Sequence, residues 1–253
     1  MVPGNITGQG TAAITGTATL SGNATVGGTL GVTGATTTTG ITSSAAHTVT
    51  TSTHANASVF KSTGHTQLFL QDTDTSANLQ FWGLQNSGGD INILRCNDDR
   101  ASGFVTPMTI TQEGHVKQPL VPRFLARKNT SSWSPSTNST MIFDRTNIFN
   151  GYNVGGHYDI TNGRFTCPEA GTYYFAVTSI VNTTVTNGAW YIYKNGGAVM
   201  EQHITQTSNG WTAHHLAFTG EFAASDYVTI QNGAATIGYY GSAWSFFHGR
   251  MLG

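Results

Sequence analysis

A glycine recurs at every sixth position through the first forty residues of the chain, without a break. The positions are Gly4, Gly10, Gly16, Gly22, Gly28, Gly34 and Gly40. Small or aliphatic residues stand two places before and after most of these glycines, so apolar and polar positions alternate within each hexad. Alternation predicts β-strands, and a regularly spaced glycine predicts a turn or a close backbone approach. The segment is therefore predicted to be a β-structured repeat, with a flexible low-complexity tail as the alternative.

The repeat is too short to bury a core as a single chain. A one-chain β-helix uses about three hexads per coil, which leaves about two coils here, and more repeats are usually needed for stability. Residues 1–59 also contain no Asp, Glu, Lys or Arg and no aromatic residue. Three identical chains wound together would share a narrow core that small residues can fill. We therefore predict that residues 1–57 form the stalk of a homotrimeric β-fibre.

Residues 58–118 are predicted to form a small β module. Short apolar runs at 67–70, 79–84, 91–94 and 108–110 are separated by segments rich in Asp, Asn and Gly, which favour turns. The module ends on the sequence PMTITQEGHV at residues 107–116, which resembles a recurrent segment of bacteriophage tail-fibre and structural proteins. In those proteins a module of this kind closes just before a C-terminal head. The resemblance implies the same order here.

Residues 123–253 are predicted to form an all-β sandwich, after a stiff Pro-Leu-Val-Pro connector at 119–122. Aromatic residues become frequent, and apolar runs alternate with Gly, Asn and Asp turns at the spacing of a sandwich. The predicted strands are 123–128, 141–143, 164–166, 172–180, 189–194, 198–204, 211–222, 227–231 and 244–251.

The sequence of this segment resembles the signature of the C1q/TNF-like globular domain. The spacing of the signature is met by Asn153, Tyr158, Phe165, Gly171, Tyr173 and Phe175. The runs at 190–196, 224–228 and 245–252 resemble three further strands of that family, whereas Asn147 stands where the signature opens with Phe. The resemblance implies a jelly-roll β-sandwich that trimerises through an aromatic and aliphatic interface. It also implies a binding module in which the signature residues are structural.

Four aromatic residues are candidates for receptor binding. Counting hairpins in a jelly roll places the loops 129–139, 182–188, 205–211 and 234–243 at the end far from the stalk. These loops carry Trp133, Trp211, Tyr239 and Tyr240 among small polar residues. Exposed aromatics among hydrogen-bonding residues suit a sugar or protein receptor. The alternative is that each ring packs into the sandwich or into the trimer seam.

Composition and motifs exclude several classes of function. Only 9% of residues are charged and the net charge is −1, which does not suit nucleic acid, and no apolar run is long enough to insert into a membrane. Catalytic motifs of hydrolases and zinc enzymes are absent, and His47 lies beyond the hexads, unlike a hexapeptide acyltransferase, so no enzyme is expected.

No cofactor is expected from the sequence either. Asp72, Asp74, Asp98 and Asp99 occur in turns and not in a calcium motif, so they are read as solvated. Some members of the resembled family hold calcium near the trimer axis, and this possibility stays open here without a supporting motif. Cys96 and Cys167 are predicted to be buried thiols.

The sequence thus predicts a homotrimeric virion fibre, either a phage tail fibre or a capsid-attached fibre. Its N-terminus would attach to other virion proteins, and its head would bind a glycan or protein on the host surface. The alternative is a non-viral extracellular C1q-like lectin or matrix-type binding protein. The glycine hexads, and the lack of a basic then apolar leader after Met1, favour the virion surface.

Overall fold

The computed structural model describes residues 23, 25–26, 31–33, 62–233 and 236–253. All seven glycines of the hexad repeat lie outside the described residues, so the trimeric stalk stays a prediction. Every regular element in the described part of the chain is a β-strand, as the all-β prediction requires. Within that part, no helix has the length and apolar character to cross a bilayer.

The first five strands form one antiparallel sheet in the order of the chain, called here the middle sheet. Its strands are β1 Thr66–Gln71, β2 Phe81–Ser87, β3 Asp90–Cys96, β4 Val105–Ile110 and β5 Val116–Lys117. Gly88 and Gly89 form the two-residue turn between β2 and β3, with φ angles of 61° and 93°. Glycine adopts such angles without a steric penalty, and they match the twist of a tight hairpin.

Eleven further strands build the C-terminal head. They are β6 Arg123–Trp133, β7 Ser139–Thr140, β8 Tyr152–Val154, β9 Tyr158–Asp159, β10 Arg164–Thr166, β11 Gly171–Val181, β12 Val185–Lys194, β13 Gly197–Gln206, β14 Thr212–Phe222, β15 Tyr227–Asn232 and β16 Tyr239–Met251. One sheet has the order β14-β11-β16-β6-β8 and is called the β11 sheet. The other has the order β13-β12-β15-β10-β9, with β7 also paired to β15, and is called the β12 sheet.

Aromatic side chains from both sheets fill the core of the head. Phe124 stacks on Tyr158 with ring centroids 4.6 Å apart and on Phe165 at 4.9 Å. Phe175 and Phe247 complete the cluster, and both are fully buried. Large rings bury much apolar surface per residue and gain further from edge and offset contacts. On β11, Tyr173, Phe175 and Val177 share the inward face, which places the Phe175 ring in the core.

Three predictions in the head are wrong: β6 continues to Trp133 rather than ending at 128, residues 141–143 are not a strand, and the last strand, β16, is longer than predicted. It begins at Tyr239 rather than at 244, because Tyr239 and Tyr240 already pair with Trp133 and Ser132 on β6. The register then shifts across residues 242–246, where Ser242 has a φ of 51°. A bulge of this kind reads as a turn in the sequence, since Gly and Ser stand together there.

Both cysteines are buried and neither forms a disulfide, which confirms the prediction of two buried thiols. Burial raises the pKa of Cys167 to about 12, and it also raises the pKa of Cys96. A thiol held in its neutral form is a poor nucleophile. The two residues therefore act as small apolar side chains, Cys96 in the middle sheet and Cys167 in the core of the head.

Candidate ligand-binding surface

The strand register defines two ends of the head. Arg123 pairs with Arg250 at the end where the chain enters, and Trp133 pairs with Tyr239 at the other end. Thr212 pairs with Val181 at this second end, which we call the tip. The loops between β11 and β12, between β13 and β14, and between β15 and β16 therefore lie at the tip. Hairpin counting from the sequence had given the same placement.

Tyr239 is a core residue and not a surface residue. Its side chain is fully buried, and its hydroxyl accepts a hydrogen bond from Trp190 Nε1 at 2.7 Å. The same hydroxyl donates to Asn232 Oδ1 at 2.9 Å. Burial raises the pKa of Tyr239 well above its ordinary value. Tyr239 cannot contact a ligand, and it leaves the set of candidate binding residues.

Trp133 also packs against the core. Its ring lies 5.5 Å from Phe143 and 5.6 Å from Tyr239, and the Lys128 ammonium stands 5.2 Å from its centroid. Most of the indole is occupied by these contacts, so Trp133 closes the tip end of the core. It offers little surface to a ligand.

Trp211 and Tyr240 come together at the tip, joined by a third aromatic that was not among the candidates. Trp211 stacks on Tyr240 with centroids 4.0 Å apart and an interplanar angle of 20°. Trp244 meets Trp211 edge-on at 5.2 Å and 85°. Trp211 is 60% exposed and Trp244 is 47% exposed. We call these three residues the aromatic cluster.

The bulge in β16 is what places Trp244 in the cluster. Arg127 donates from Nη1 to the carbonyl oxygen of Ala243 at 2.9 Å, and its guanidinium lies 5.1 Å from the ring centroid of Phe246. These contacts hold the bulged segment against β6. In the sequence, Trp244 stands shortly after the pair Gly241-Ser242. Its place in the aromatic cluster can be inferred only when β16 is known to start before that pair.

The loops of the aromatic cluster are polar and uncharged, and the two cations beside it on β6 already have partners: Arg127 donates to the carbonyl oxygen of Ala243, and Lys128 pairs with Asp144 at 2.8 Å. Residues 205–213 and 236–247 contain no Asp, Glu, Lys or Arg. Asn209 holds the neighbouring loop by accepting from the Thr184 backbone N–H at 2.9 Å. Flat apolar faces beside hydroxyl and amide groups bind ligands that combine apolar patches with hydrogen-bonding groups. The arrangement suits a neutral ligand better than a charged one.

The outer face of the β11 sheet is a second surface of mixed aromatic and aliphatic character. One row across this face follows the register through Ala217, Ala176, His248, Leu125 and Tyr152. The row has no charged carboxylate, and its members are aliphatic, aromatic or imidazole side chains. The flanking rows of the same face place Phe246 beside Arg127 and Tyr174 beside Arg250, so arginines border the apolar row.

His248 stands in the middle of that face. Its ring lies 5.7 Å from Tyr174 and 5.9 Å from Phe246. Burial lowers the pKa of His248, and the nearby His215 lowers it further. His215 in turn accepts or donates a hydrogen bond of 2.8 Å to the Thr178 hydroxyl. The neutral form of the His248 imidazole is therefore favoured on this face.

The signature residues are structural, as the resemblance implied. Phe165, Tyr173 and Phe175 are fully buried, and Tyr158 is nearly so. Asn153 bridges to the backbone of Tyr158 with two hydrogen bonds, of 2.8 Å and 3.1 Å. These residues shape the core and its loops, and none of them belongs to the aromatic cluster.

Gly171, the remaining signature residue, has to be glycine because a side chain would not fit there. A Cβ built at this position would lie 2.6 Å from the carbonyl oxygen of Gly253 and 2.8 Å from Met251 Cε. Real Cβ atoms do not approach other atoms so closely, so glycine lets β11 start directly against the end of β16.

The aspartates that the sequence places in turns of the middle sheet hold those turns. Within residues 62–233 and 236–253, no three His, Cys, Asp or Glu side chains stand close enough to share a metal ion. The aspartates of the middle sheet cap turns instead: Asp98 accepts from Asn78 N–H at 3.0 Å, and Asp99 accepts from Ala101 N–H at 2.9 Å. The oxygen-rich donor set that calcium needs is not assembled there.

Comparison with known proteins identifies the C-terminal half. The profile of the C1q domain matches residues 123–249. The complement C1q tumor necrosis factor-related protein 5 of Rattus norvegicus is 32% identical over 123 residues, and that of Homo sapiens is 31% identical over 123 residues. Each alignment covers 47% of this chain and 47% of the relative. The chain thus spans about half the length of the curated relatives it matches.

Two solved structures align with about half of the chain. The Eiger TNF from S. frugiperda has a TM-score of 0.45 and 11% identity, covering 54% of this chain and 94% of that one. The globular domain of zebrafish complement 1qA protein has a TM-score of 0.37 and 14% identity, covering 52% of this chain and 98% of that one. The family match, which spans half of the chain, coincides with the sandwich that begins at Arg123. The chain belongs to the C1q domain family.

Proposed function

We propose that this protein is a homotrimeric binding protein that acts outside cells and binds a neutral ligand at the tip of its C1q-type head. Domains of the C1q and TNF type commonly form homotrimers and are typically binding modules rather than enzymes. The observation that carries the ligand proposal is the aromatic cluster, in which two half-exposed indoles and one tyrosine meet at the tip.

The outer face of the β11 sheet is proposed as the surface that joins the three heads. Tyr152 is 41% exposed on this face, and Tyr174, Phe246 and His248 are only partly covered within one chain. Burying such side chains against a second copy removes apolar surface from water, at roughly 25 cal/mol per Å². The family membership supports a homotrimer, and the partly covered rings are what favour this face.

A neutral sugar is the ligand class that suits the cluster best. The C–H face of a sugar ring packs on an indole, while its hydroxyls bond to amide and hydroxyl groups. Thr212 directly follows Trp211 in the chain, and Ser242 lies between Tyr240 and Trp244, so the segments that carry the rings also carry hydroxyl groups. A charged ligand would find no opposite charge in the adjoining loops.

The test is binding of the full chain to an array of neutral glycans, with the double variant Trp211→Ala/Trp244→Ala. Removing an aromatic anchor costs about 2 kcal/mol or more, which is a roughly 30-fold weaker Kd. Val199→Ala, on the edge strand β13, is a matched exposed apolar control and should leave binding unchanged. Product analysis of the bound glycans should find them intact, as expected for a binding module.

Two results would overturn the tip site. In the first, the double variant binds every glycan as tightly as the unchanged chain does. The same conclusion follows if the chain binds only protein ligands and the double variant binds them equally well. In the second, the double variant loses its trimeric mass together with binding. The cluster would then be part of the seam between heads, since Tyr240 lies on the outer face of the β11 sheet.

A fibre on a virus particle is the second candidate function, and it rests on the N-terminal half. The glycine hexads and the PMTITQEGHV segment favour a stalk at 1–57, a β module at 58–118, a connector at 119–122 and a head at 123–253. In this setting the N-terminus would attach to the particle and the head would bind a host-surface glycan or protein. Antibody labelling of purified particles in the electron microscope tests it: label at the tail or the capsid supports the fibre, and unlabelled particles exclude it.

A further inference from the structure

The middle sheet has two faces of very different character. On one face, Phe81, Leu94 and Cys96 are buried, Phe69 packs edge-on against Phe81 at 6.1 Å, and the Arg100 guanidinium lies 5.6 Å from the Phe81 ring. This side of the sheet therefore has its own small core. A single layer of strands keeps such a core only on the side that other parts of the chain cover.

The opposite face, called here the front face, is apolar and open. One row crosses four strands through Leu68, Leu84, Ile93 and Met108, and a second row runs through Leu70, Trp82, Arg95 and Val105. Within one chain, Leu70 is 69% exposed, Leu84 50% and Trp82 45%. Adjacent strands lie about 4.8 Å apart, so each row is about 14 Å long.

An open apolar face of this kind marks an interface. Monomeric proteins rarely expose a contiguous apolar patch of more than a few hundred Å², and alternation along a strand normally turns polar residues toward water. Here β2 turns Trp82 and Leu84 outward and places Phe81 and Gly83 inward. Both sides of the strand are thus apolar, as in a strand that is covered on both faces.

The short connection to the head determines which partner lies nearest to the front face. Only residues 118–122 separate the end of β5 at Lys117 from the start of β6 at Arg123. Five residues span at most about 18 Å, and the two prolines among them restrict the connector. When three heads associate, three middle sheets are held within this reach, at an effective concentration on the order of millimolar.

The charge on the face is compatible with copies of the same chain. Arg95 is the one charged residue in the two rows, and no like-charged partner stands beside it in either row. Its aliphatic stem can lie along the apolar surface while the guanidinium reaches the rim. Three copies would bring no carboxylate and only one guanidinium each to the contact.

We propose that the front faces of three middle sheets pack against one another and form a second trimer interface, separate from that of the heads. This inference rests on the proposed homotrimer. It assigns the residues of the front face, and Trp82 and Leu84 in particular, to a contact between copies of the chain. The middle sheet then stabilises the trimer instead of acting as a spacer.

Hydroxyl-radical footprinting of the full chain, read by peptide mass spectrometry, tests the proposal. In the trimer, Trp82 should be oxidised several-fold more slowly than in samples diluted until native mass spectrometry shows single chains. Leu84→Lys places a charge on the front face and should restore fast oxidation of Trp82. Gln67→Lys, on the opposite face of the same sheet, should not.

The outcomes separate this proposal from the proposed function. If the chain is trimeric but Trp82 is oxidised at the same rate before and after dilution, the heads associate and the middle sheets do not. If Trp82 stays protected in single chains, another part of the same chain covers the front face and the second interface is wrong. If the chain is monomeric at all concentrations, the proposed homotrimer fails first.

Discussion

Neighbouring residues in this protein have opposite roles because strands alternate. Tyr239 points into the core and bonds Trp190, while Tyr240 points outward and stacks on Trp211. Both are tyrosines in the same tip segment, and both were candidates for binding. Composition alone does not separate them, because the direction of each side chain depends on where β16 begins.

Tyr239→Phe should destabilise the head without affecting ligand binding at the aromatic cluster. The change leaves Trp190 Nε1 buried without the hydroxyl that accepts its hydrogen bond, which costs about 1–3 kcal/mol. Denaturant unfolding followed by tryptophan fluorescence measures the loss. Tyr240→Phe is the matched control and should leave the free energy of unfolding nearly unchanged. Equal stability of the two variants would contradict the role of the Tyr239 hydroxyl.

Asp226 should limit stability in acid. The pKa of its carboxyl is lowered to about 2 by the hydrogen bond from Asn195, then by Lys194 and the Ala223 N–H. The contribution of the Asp226 carboxylate to folding stability is therefore complete at pH values above its ordinary pKa of 3.8. It is lost as the pH falls toward about 2. Melting curves of the unchanged chain and Asp226→Asn should differ at pH 5 and converge near pH 2. A gap that is constant across this range would exclude the carboxylate as its source.

Strands of different length were predictable to different degrees. β11 and β12 agree with prediction to within a few residues, because long runs rich in aromatic and β-branched residues are a strong strand signal. The short strands β8 and β9 were missed, since two or three residues carry no periodicity. The start of β16 was also missed, because its bulge contains turn-forming residues. Trp244 was lost from the candidate site for the same reason.

Gly249 tests how tightly β16 fits the core. A Cβ at this position would lie 2.4 Å from Phe175 Cδ1 and 2.9 Å from Phe124 Cε1. Both rings are fully buried, so Gly249→Ala should destabilise the head by about 1–3 kcal/mol through overpacking. Gly210→Ala, where the nearest atom stands 4.0 Å away, is the control. Unfolding midpoints of the two variants should differ, and equal midpoints would mean that the rings move aside freely.

At the scale of the whole molecule, two sheets present apolar surface that the described residues of one chain leave open. The β11 sheet is part of a domain whose family commonly forms homotrimers. The middle sheet, which carries the front face, is joined to that domain by a short connector. The sequence predicted the trimer from the hexads and from the resemblance of the head. It did not reveal the front face, because alternating apolar runs do not show which side of a lone sheet is covered.

The head should lose stability in mild acid because of His248. Its pKa is lowered by burial and by His215, so the neutral form is favoured in the folded head. The stabilisation by neutral His248 is complete above the ordinary histidine pKa of about 6.5 and is lost as the pH drops below it. The free energy of unfolding should therefore fall between pH 7.5 and pH 5. His248→Gln should remove most of this dependence, and an unchanged dependence in that variant would assign it to other groups.

The mass of the assembled protein in solution tests the central claim most directly. One chain has a mass of 26.8 kDa. Native mass spectrometry of the full chain at neutral pH is expected to find three times this mass as the main species. A main species with the mass of a single chain, at concentrations where the protein is folded, would contradict the homotrimer.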